Sequence, residues 1–572
     1  MISFKHFFWL VFFLVIAATS WSLVHSGLFH LHDTIHAARV AEMSRALLDG
    51  HFPVRWTQNF GRGYGMPVFE FYAPFPYYVG SILYITGFSW SITMKILMIL
   101  PTVVTFFGMY LLGETLWNKH AGLVCAVAAA LAPYRAVDLF VRGALSEVWG
   151  MMALPWAVVG AIWVIKGKKW GTYIFILGLV AMLLSHNLTA LVFALTVPIV
   201  VTGYLLLFGK NKVKASISLF GCAITALLLC AFYIFPAVLE QKYTNISEIT
   251  EGYFDYANHF VYIKQLIKPY WGYGNSGPWS YNDMSYFLGY GQLIGAVAAC
   301  LTLLVAFIRK KFQFFRAKSA VFGGLLIVVT LVPLLMMNAR SQPIWSAFPV
   351  LSMLQFPWRW LLVATFLVAL LSGFAVSQVQ KKVQQNIFVS ILIFVILAGN
   401  FQFFRPKAYL ADDNQYYGTE PAQIREQMKY ALPEYNPETA SNLSVVPVSE
   451  MARFSEGFGT ITVVGNKVHT KQIVVNSPNQ AVIEFLTVDF PGWKVLVDGE
   501  QVPLSLSANG SIMAAVPAGK HTVEIKFTAT PVRAVSDSIS FLMLLAVCIT
   551  FFFSFDHNKN ILNKVRRHLK FV

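Results

Sequence analysis

Acidic residues are scarce in this chain: 27 of 572 residues are aspartate or glutamate, and charge of either sign makes up 12%. So little charge beside 57% hydrophobic residues excludes a soluble globular protein. The five cysteines (Cys125, Cys222, Cys230, Cys300, Cys548) all lie in apolar runs, which excludes a disulfide framework, and none has metal-site spacing. No internal repeat or low-complexity tract is present, which removes solenoids and disordered tails. What remains is a series of apolar runs long enough to cross a bilayer, and the chain reads as a polytopic membrane protein.

The net charge of +16 belongs to topology and not to nucleic acid. Basic clusters at Lys166/Lys168/Lys169, Lys210/Lys212/Lys214, Arg309/Lys310/Lys311/Arg316/Lys318, Lys381/Lys382 and Lys559–Lys570 sit between apolar runs and are almost free of acids. Positive residues favour the cytoplasmic side, so all five are placed inside. A first run, 7–24, reads as a retained helix in preference to a signal peptide. The lysine parity then allows only one of two weak segments, 71–88 and 120–133, to cross. Lys119 and His120 favour a cytoplasmic turn, so 120–133 is taken as the span and 71–88 stays in the first outer loop. The result is about twelve spans, near 7–24, 95–113, 120–133, 147–165, 171–185, 188–208, 216–238, 286–308, 319–336, 359–377, 386–404 and 536–555. Residues 1–404 form a membrane domain with a long outer loop at 25–94, and 536–572 form a last helix and a basic cytoplasmic tail.

Segment 405–535 differs in kind. Alternating stretches such as "KQIVVNS", "AVIEFLTVDF" and "HTVEIKFTAT" predict short strands, with Asp498-Gly499 as a hairpin turn. This predicts an extracytoplasmic β-sandwich or jelly roll.

The stretch "HLHDTIHAARVAEMSRALLDGHFPVRW", residues 30–56, follows the first span. Val40, Met43 and Leu47 keep helical spacing, with Arg39, Glu42, Arg45 and Asp49 on other faces, which predicts an amphipathic helix on the membrane surface with Asp33 as its N-cap. Asp33 as a cap alone is the plain reading. The spacing of His32 and His36 also suits a divalent metal with Asp33. In "APYRAVDLFVRGALSEVWG", Arg135, Asp138 and Arg142 share a helical face and Glu147 follows; local pairing at a helix end competes with binding of an anionic phosphate. "LLSHNLTA" puts His186 at the outer end of one span, and "LQFPWRW" puts Arg359 at the start of another, where snorkelling is the plain alternative. The aromatics Trp56, Tyr64, Tyr270, Trp271, Tyr273 and Trp279 suit sugar stacking, a prenyl groove or interfacial anchoring.

These pieces together, with "DFPGWKVLVDGE", resemble the bacterial membrane family labelled 6-pyruvoyl-tetrahydropterin-synthase-related. Its membrane part is similar to C-type (GT-C) glycosyltransferases. The pterin enzyme of the label is soluble, and nothing in this hydrophobic chain supports pterin chemistry. The resemblance implies an inner-membrane enzyme with a core of about 10–11 helices acting on the outer face, with a polyprenyl-phosphate-linked sugar as donor, a glycan, lipid or protein as acceptor, and no nucleic acid. It gives Asp33 the role of catalytic base or metal ligand, and a second acidic role to Asp138 or Glu147. A divalent metal ion is admitted by those roles, although a clear second DxD-type motif is missing. Chemistry then assigns the leaving phosphate to Arg359 with Arg135 or Arg142, and orientation to His186. A single displacement inverts the anomeric centre. A lipid-linked glycan flippase and an envelope-polysaccharide assembly scaffold are the competing functions. A flippase expects ionisable groups near the bilayer midplane and inverted repeats, and neither is legible.

Overall fold

The computed structural model describes residues 3–278, 283–310, 317–410, 418–428, 432–440, 443 and 446–556. Trp279, Lys311, Arg316 and the basic tail Lys559–Lys570 lie outside the described residues. Among the described residues, 11 helices are long and apolar enough to cross a membrane. They are Phe4–Val24, Trp90–Leu116, Lys119–Arg142, Leu145–Ile165, Asn187–Phe208, Lys212–Leu229, Tyr290–Arg309, Lys318–Met336, Pro357–Ser377, Lys382–Phe403 and Pro531–Phe553. The expected span at 171–185 is the apolar helix Lys169–Leu183, whose 15 residues reach only ~22 Å. It lies flush against Leu145–Ile165. A Cβ on Gly160 would meet the Phe175 backbone at 2.2 Å, and one on Gly178 would meet the Ala157 backbone at 2.5 Å. Small residues allow this contact where lipid supplies no hydrophobic drive.

Lys119–Arg142 and Pro357–Ser377 form the buried centre of the bundle. The segment expected as an outer loop after residue 133 is instead helical and buried through Arg142. The other weak segment holds the helix Phe75–Ile85, whose 11 residues are too few to cross.

The first loop departs from expectation. Helix His36–Leu48 is not a surface helix, because ten of its 13 residues are buried. Phe75–Ile85 covers one side, with Val40 against Gly80. Glu42 is fully buried, and accepts from Arg45 Nη1 (2.8 Å), the Asn59 amide and the Asn59 side chain.

The C-terminal strands are β1 (Ala452–Glu456), β2 (Thr460–Lys467), β3 (Thr470–Ser477), β4 (Ala481–Val488), β5 (Trp493–Val497), β6 (Glu500–Val502), β7 (Ser505–Leu506), β8 (Ser511–Val516) and β9 (Gly519–Phe527). They form two antiparallel sheets, ordered β1-β4-β8-β7 and β2-β3-β9-β5-β6. Alternate residues such as Ile473, Val475, Ile483, Phe485, Val523 and Ile525 are buried in one core. Asp498 (φ 53°) and Gly499 (φ 88°) make the β5–β6 hairpin, with the two positive φ values of a type I′ turn.

This sandwich docks on the first loop. Trp56 is completely buried against Trp493 (5.4 Å) and Phe527 (5.4 Å), and the Val488 amide donates to Tyr64 O at 3.1 Å. Trp56 and Tyr64 therefore serve a domain interface and not a sugar. A buried ion network ties the same loop to the last helix. Arg533 contacts Glu70 (3.1 Å) and Glu240 (2.7 Å), while Arg55 contacts Glu70 (3.1 Å) and Asp537 (2.6 Å).

Candidate active site

After the first span the chain pairs with the end of Lys119–Arg142. The amides of His32 and Asp33 donate to Val141 O (3.0 Å) and Arg142 O (2.8 Å). Gly143 ends the helical turn Asp138–Arg142 at φ 73°, and a Cβ there would sit 2.8 Å from Asp33 O. Asp33 is thereby fixed by its backbone, while its exposed carboxylate forms no hydrogen bond or ion pair with the described residues. It is not the helix cap: His36–Leu48 starts three residues later and its N-cap, Ile35, makes no side-chain bond.

His36 locks this turn. Its Nε2 donates to Gly143 O, and its Nδ1 lies 2.8 Å from Tyr77 Oη. Burial, with Arg39 adding to it, lowers its pKa to about 4. Arg39 Nη1 donates to the same Tyr77 Oη (3.0 Å), and its guanidinium lies 3.7 Å from the centre of the Tyr72 ring. Arg39 is buried, and among the described residues it has no carboxylate partner and its Nε has no hydrogen bond. The helical spacing of the sequence marks it only as one polar residue of an amphipathic helix.

The second helical contribution is a buried cluster. Arg142 Nη1 donates to Asp138 Oδ1 (2.5 Å) and Glu147 Oε2 (3.0 Å), and Tyr134 Oη donates to Glu147 Oε1. Glu147 Oε2 also faces Arg359 Nε at 3.7 Å. Arg359 Nη1 is held by Leu354 O and Gln355 Oε1, both at 2.7 Å. The "FPWR" stretch explains itself here. Phe356 and Trp358 stack at 4.7 Å, Arg142 lies over Trp358 (4.5 Å), and Arg359 lies over Phe356 (4.9 Å).

A cavity of about 560 Å³ collects these elements. Asp33, His32, Arg39, His186 and Arg359 line it, together with Tyr72 and Tyr435. The His186 ring accepts the Thr189 amide on Nδ1 (3.2 Å), which leaves the proton on Nε2. One wall is apolar (Ala237, Val238, Ile246, Ile249, Met353), and Met428 and Leu432 close another. The structure thus gathers Asp33, His186 and Arg359 from three separate sequence regions. Glu147 and Asp138 stand behind the arginines and do not line the cavity, so neither is placed to touch a ligand in it.

Two expectations are corrected. Arg135 is not beside Arg142. Its guanidinium donates to Thr105 Oγ1 (3.3 Å) and Thr102 Oγ1 (3.2 Å) inside the bundle, because the turn Asp138–Arg142 is a π-helix and the extra residue breaks the helical spacing. His32 and His36 do not form a metal pair. The helix begins only at His36, both nitrogens of that ring are engaged, and His32 Nε2 meets Tyr273 O at 3.0 Å. Among the described residues no three His, Cys, Asp or Glu side chains come together as a metal site, so the residues do not fit a bound divalent ion. Of the other aromatics, Trp271 stacks on Phe403 (5.0 Å) and Tyr273 Oη donates to Arg405 O (3.0 Å).

The family described as 6-pyruvoyl-tetrahydropterin synthase related domain, a membrane protein, matches residues 69–405. No curated protein matches by sequence. Among solved structures, the chain is similar to the arabinofuranosyltransferase AftD from Mycobacteria at 15% identity and a TM-score of 0.45, over 71% of this chain and 27% of that one. The oligosaccharyltransferase of Archaeoglobus fulgidus in its apo form aligns at 12% identity and TM-score 0.42, over 76% and 56%. ArnT from Cupriavidus metallidurans bound to undecaprenyl phosphate aligns at 13% and 0.32, over 74% and 89%. The chain spans only 27% and 56% of the length of the first two.

Proposed function

The chain belongs to this membrane protein family, and on that premise we propose that it is a C-type glycosyltransferase. It moves a sugar from a polyprenyl-phosphate donor to an acceptor hydroxyl or amide on the outer face of the bacterial inner membrane. The observation that carries the reading is the convergence of Asp33, whose carboxylate is unpaired among the described residues, with Arg39, Arg359 and His186 on one cavity.

In this reading the Asp33 carboxylate takes the proton of the acceptor group. The acceptor atom bonds to the anomeric carbon as the bond from that carbon to the phosphate oxygen breaks, and the centre inverts. The electron pair leaves with the polyprenyl phosphate. Its added charge meets Arg359 and Arg39, whose fixed guanidinium groups stabilise what develops in the transition state. His186 Nε2–H donates to a phosphate or sugar oxygen. Glu147 holds Arg359 and Arg142 in place, and Asp138 holds Arg142; both acids are positioning residues. The apolar wall takes the first isoprene units. Residues 1–404 carry the chemistry, and segment 405–535 closes the cavity through Met428, Leu432 and Tyr435. The lysine-rich helix ends face the cytoplasm, which puts Asp33 outside.

The test is a turnover assay on the purified full chain in nanodiscs. Envelope lipid extract containing polyprenyl-phosphate sugars and an envelope glycan fraction is added, and free polyprenyl phosphate is measured. Release that requires the acceptor fraction supports the reading. Saturable binding of the lipid with no release under any acceptor fraction contradicts it.

A further inference from the structure

Helix Leu145–Ile165 starts beside Glu147 and ends ~30 Å away, at the opposite end of the bundle. Its last turn opens on a second cavity, of about 620 Å³. Lys166, Lys168 and Lys169 line it from one loop, and Lys210 and Lys214 from the next; among the described residues no acidic one does. The topology rule accounts for lysines in these loops, but it does not require lysines from two loops to converge around one space. Nor are the first two lysines loosely placed. Lys166 Nζ donates to Thr115 O at 2.6 Å, and Lys168 Nζ lies 4.7 Å from the Trp163 ring. Burial and the neighbouring Lys168 push the pKa of Lys166 below its usual value. Helix Lys169–Leu183 begins at the same wall, with no side-chain cap on its first turn. Thr172, Asn211 and Ser218 add neutral polar groups, while Ile165 and Ala215 make part of the wall apolar.

We infer that this lysine-ringed cavity binds a phosphate-bearing anion, at a site separate from the Asp33 cavity and on the opposite face of the bundle. Basic pockets between helix ends on the cytoplasmic side suit phosphate headgroups, and lysine binds phosphate as a point charge. The anion reaches the cavity either as the headgroup of an anionic phospholipid or as a phosphate from solution.

The experiment uses the purified full chain with two probes, cardiolipin titrated into phosphatidylcholine nanodiscs and inorganic phosphate in the buffer. Binding is read by native mass spectrometry and by thermal stabilisation. Saturable binding of cardiolipin alone identifies the lipid source, and saturable binding of inorganic phosphate identifies the soluble one. Absence of both overturns the proposal. Lys214→Gln weakens the bound probe by roughly fivefold, the weight of one lysine against an anionic headgroup. Lys212→Gln removes the same charge from the same loop, but Lys212 does not line the cavity, and its binding stays unchanged. Lys168→Gln repeats the measurement from the other loop, should Lys214→Gln fold poorly. Equal weakening by Lys212→Gln and the lining variants means diffuse surface charge, and contradicts the site.

Discussion

Glu147 Oε2 lies 3.0 Å from Arg142 Nη1 and 3.7 Å from Arg359 Nε, so one buried carboxylate orients two cations from helices far apart in the chain. Arg142 is turned onto Asp138 and Trp358. Arg359 reaches the cavity that Asp33 also lines. The pair makes Arg359 a preorganised charge and not a snorkelling anchor.

Glu147→Gln should therefore act through the arginines. It leaves Arg359 without its carboxylate, and breaking a buried pair costs about 3–5 kcal/mol. Thermal unfolding should show a large loss of stability, and donor titration should show weaker binding along with slower turnover. Slower turnover with unchanged donor affinity would make Glu147 the base itself and contradict its positioning role.

Arg39 is a separate case. Among the described residues no carboxylate pairs with it, so Arg39→Gln should cost little stability from charge imbalance. It should weaken polyprenyl-phosphate binding by about 1.5–3 kcal/mol, the range for a hydrogen bond to a charged group. Equilibrium binding of the lipid phosphate checks this. Unchanged affinity would confine Arg39 to its stack on Tyr72.

The extent to which the sequence foretold this site depends on the period each residue obeys. Apolar runs report membrane-length helices directly, and most helix ends fall within a few residues of expectation. Asp498-Gly499 declares its turn, because few residue pairs accept two positive φ values. Arg135 and Arg142 were grouped by a 3.6-residue period that the π turn at Asp138–Arg142 does not keep. Arg39 was misread because the polar face of its helix is covered by parts of the chain remote in sequence, including Tyr72 and Tyr435. No local pattern signals such a cover. His32 and His36 were paired on a helix that begins too late to hold both.

The docked sandwich depends on Arg533. Its side chain is 1% exposed between Glu70 and Glu240. Arg533→Ala leaves two buried carboxylates short of a cation, and should destabilise the chain by about 3–5 kcal/mol. Limited proteolysis should then cut between the membrane part and the strands faster than in the wild type. An unchanged cleavage rate would mean that the Trp56 contact alone holds the sandwich.

His36 gives a dependence on pH. Burial holds its folded pKa at about 4, below the 6.5 usual for an imidazole. Between those values the unfolded chain binds a proton that the folded chain refuses, so stability falls as pH drops from 6.5 toward 4. Buried His51, lowered to about 3, adds in the same direction. His36→Gln keeps a donor for Gly143 O and an acceptor for Tyr77. Its melting temperature should fall less steeply over that window. Parallel wild-type and variant profiles would contradict a neutral His36.

The most direct test of the proposed chemistry is Asp33→Asn in the purified full chain, measured for donor binding, stability and turnover together. Among the described residues the Asp33 carboxylate has no hydrogen-bond or ion-pair partner, and it caps no helix, so stability and polyprenyl-phosphate affinity should stay at wild-type values. Turnover should fall by on the order of 10²–10⁴, the usual loss of a positioned general base. Wild-type transfer by Asp33→Asn would contradict the base role and remove the residue on which the glycosyltransferase reading is built.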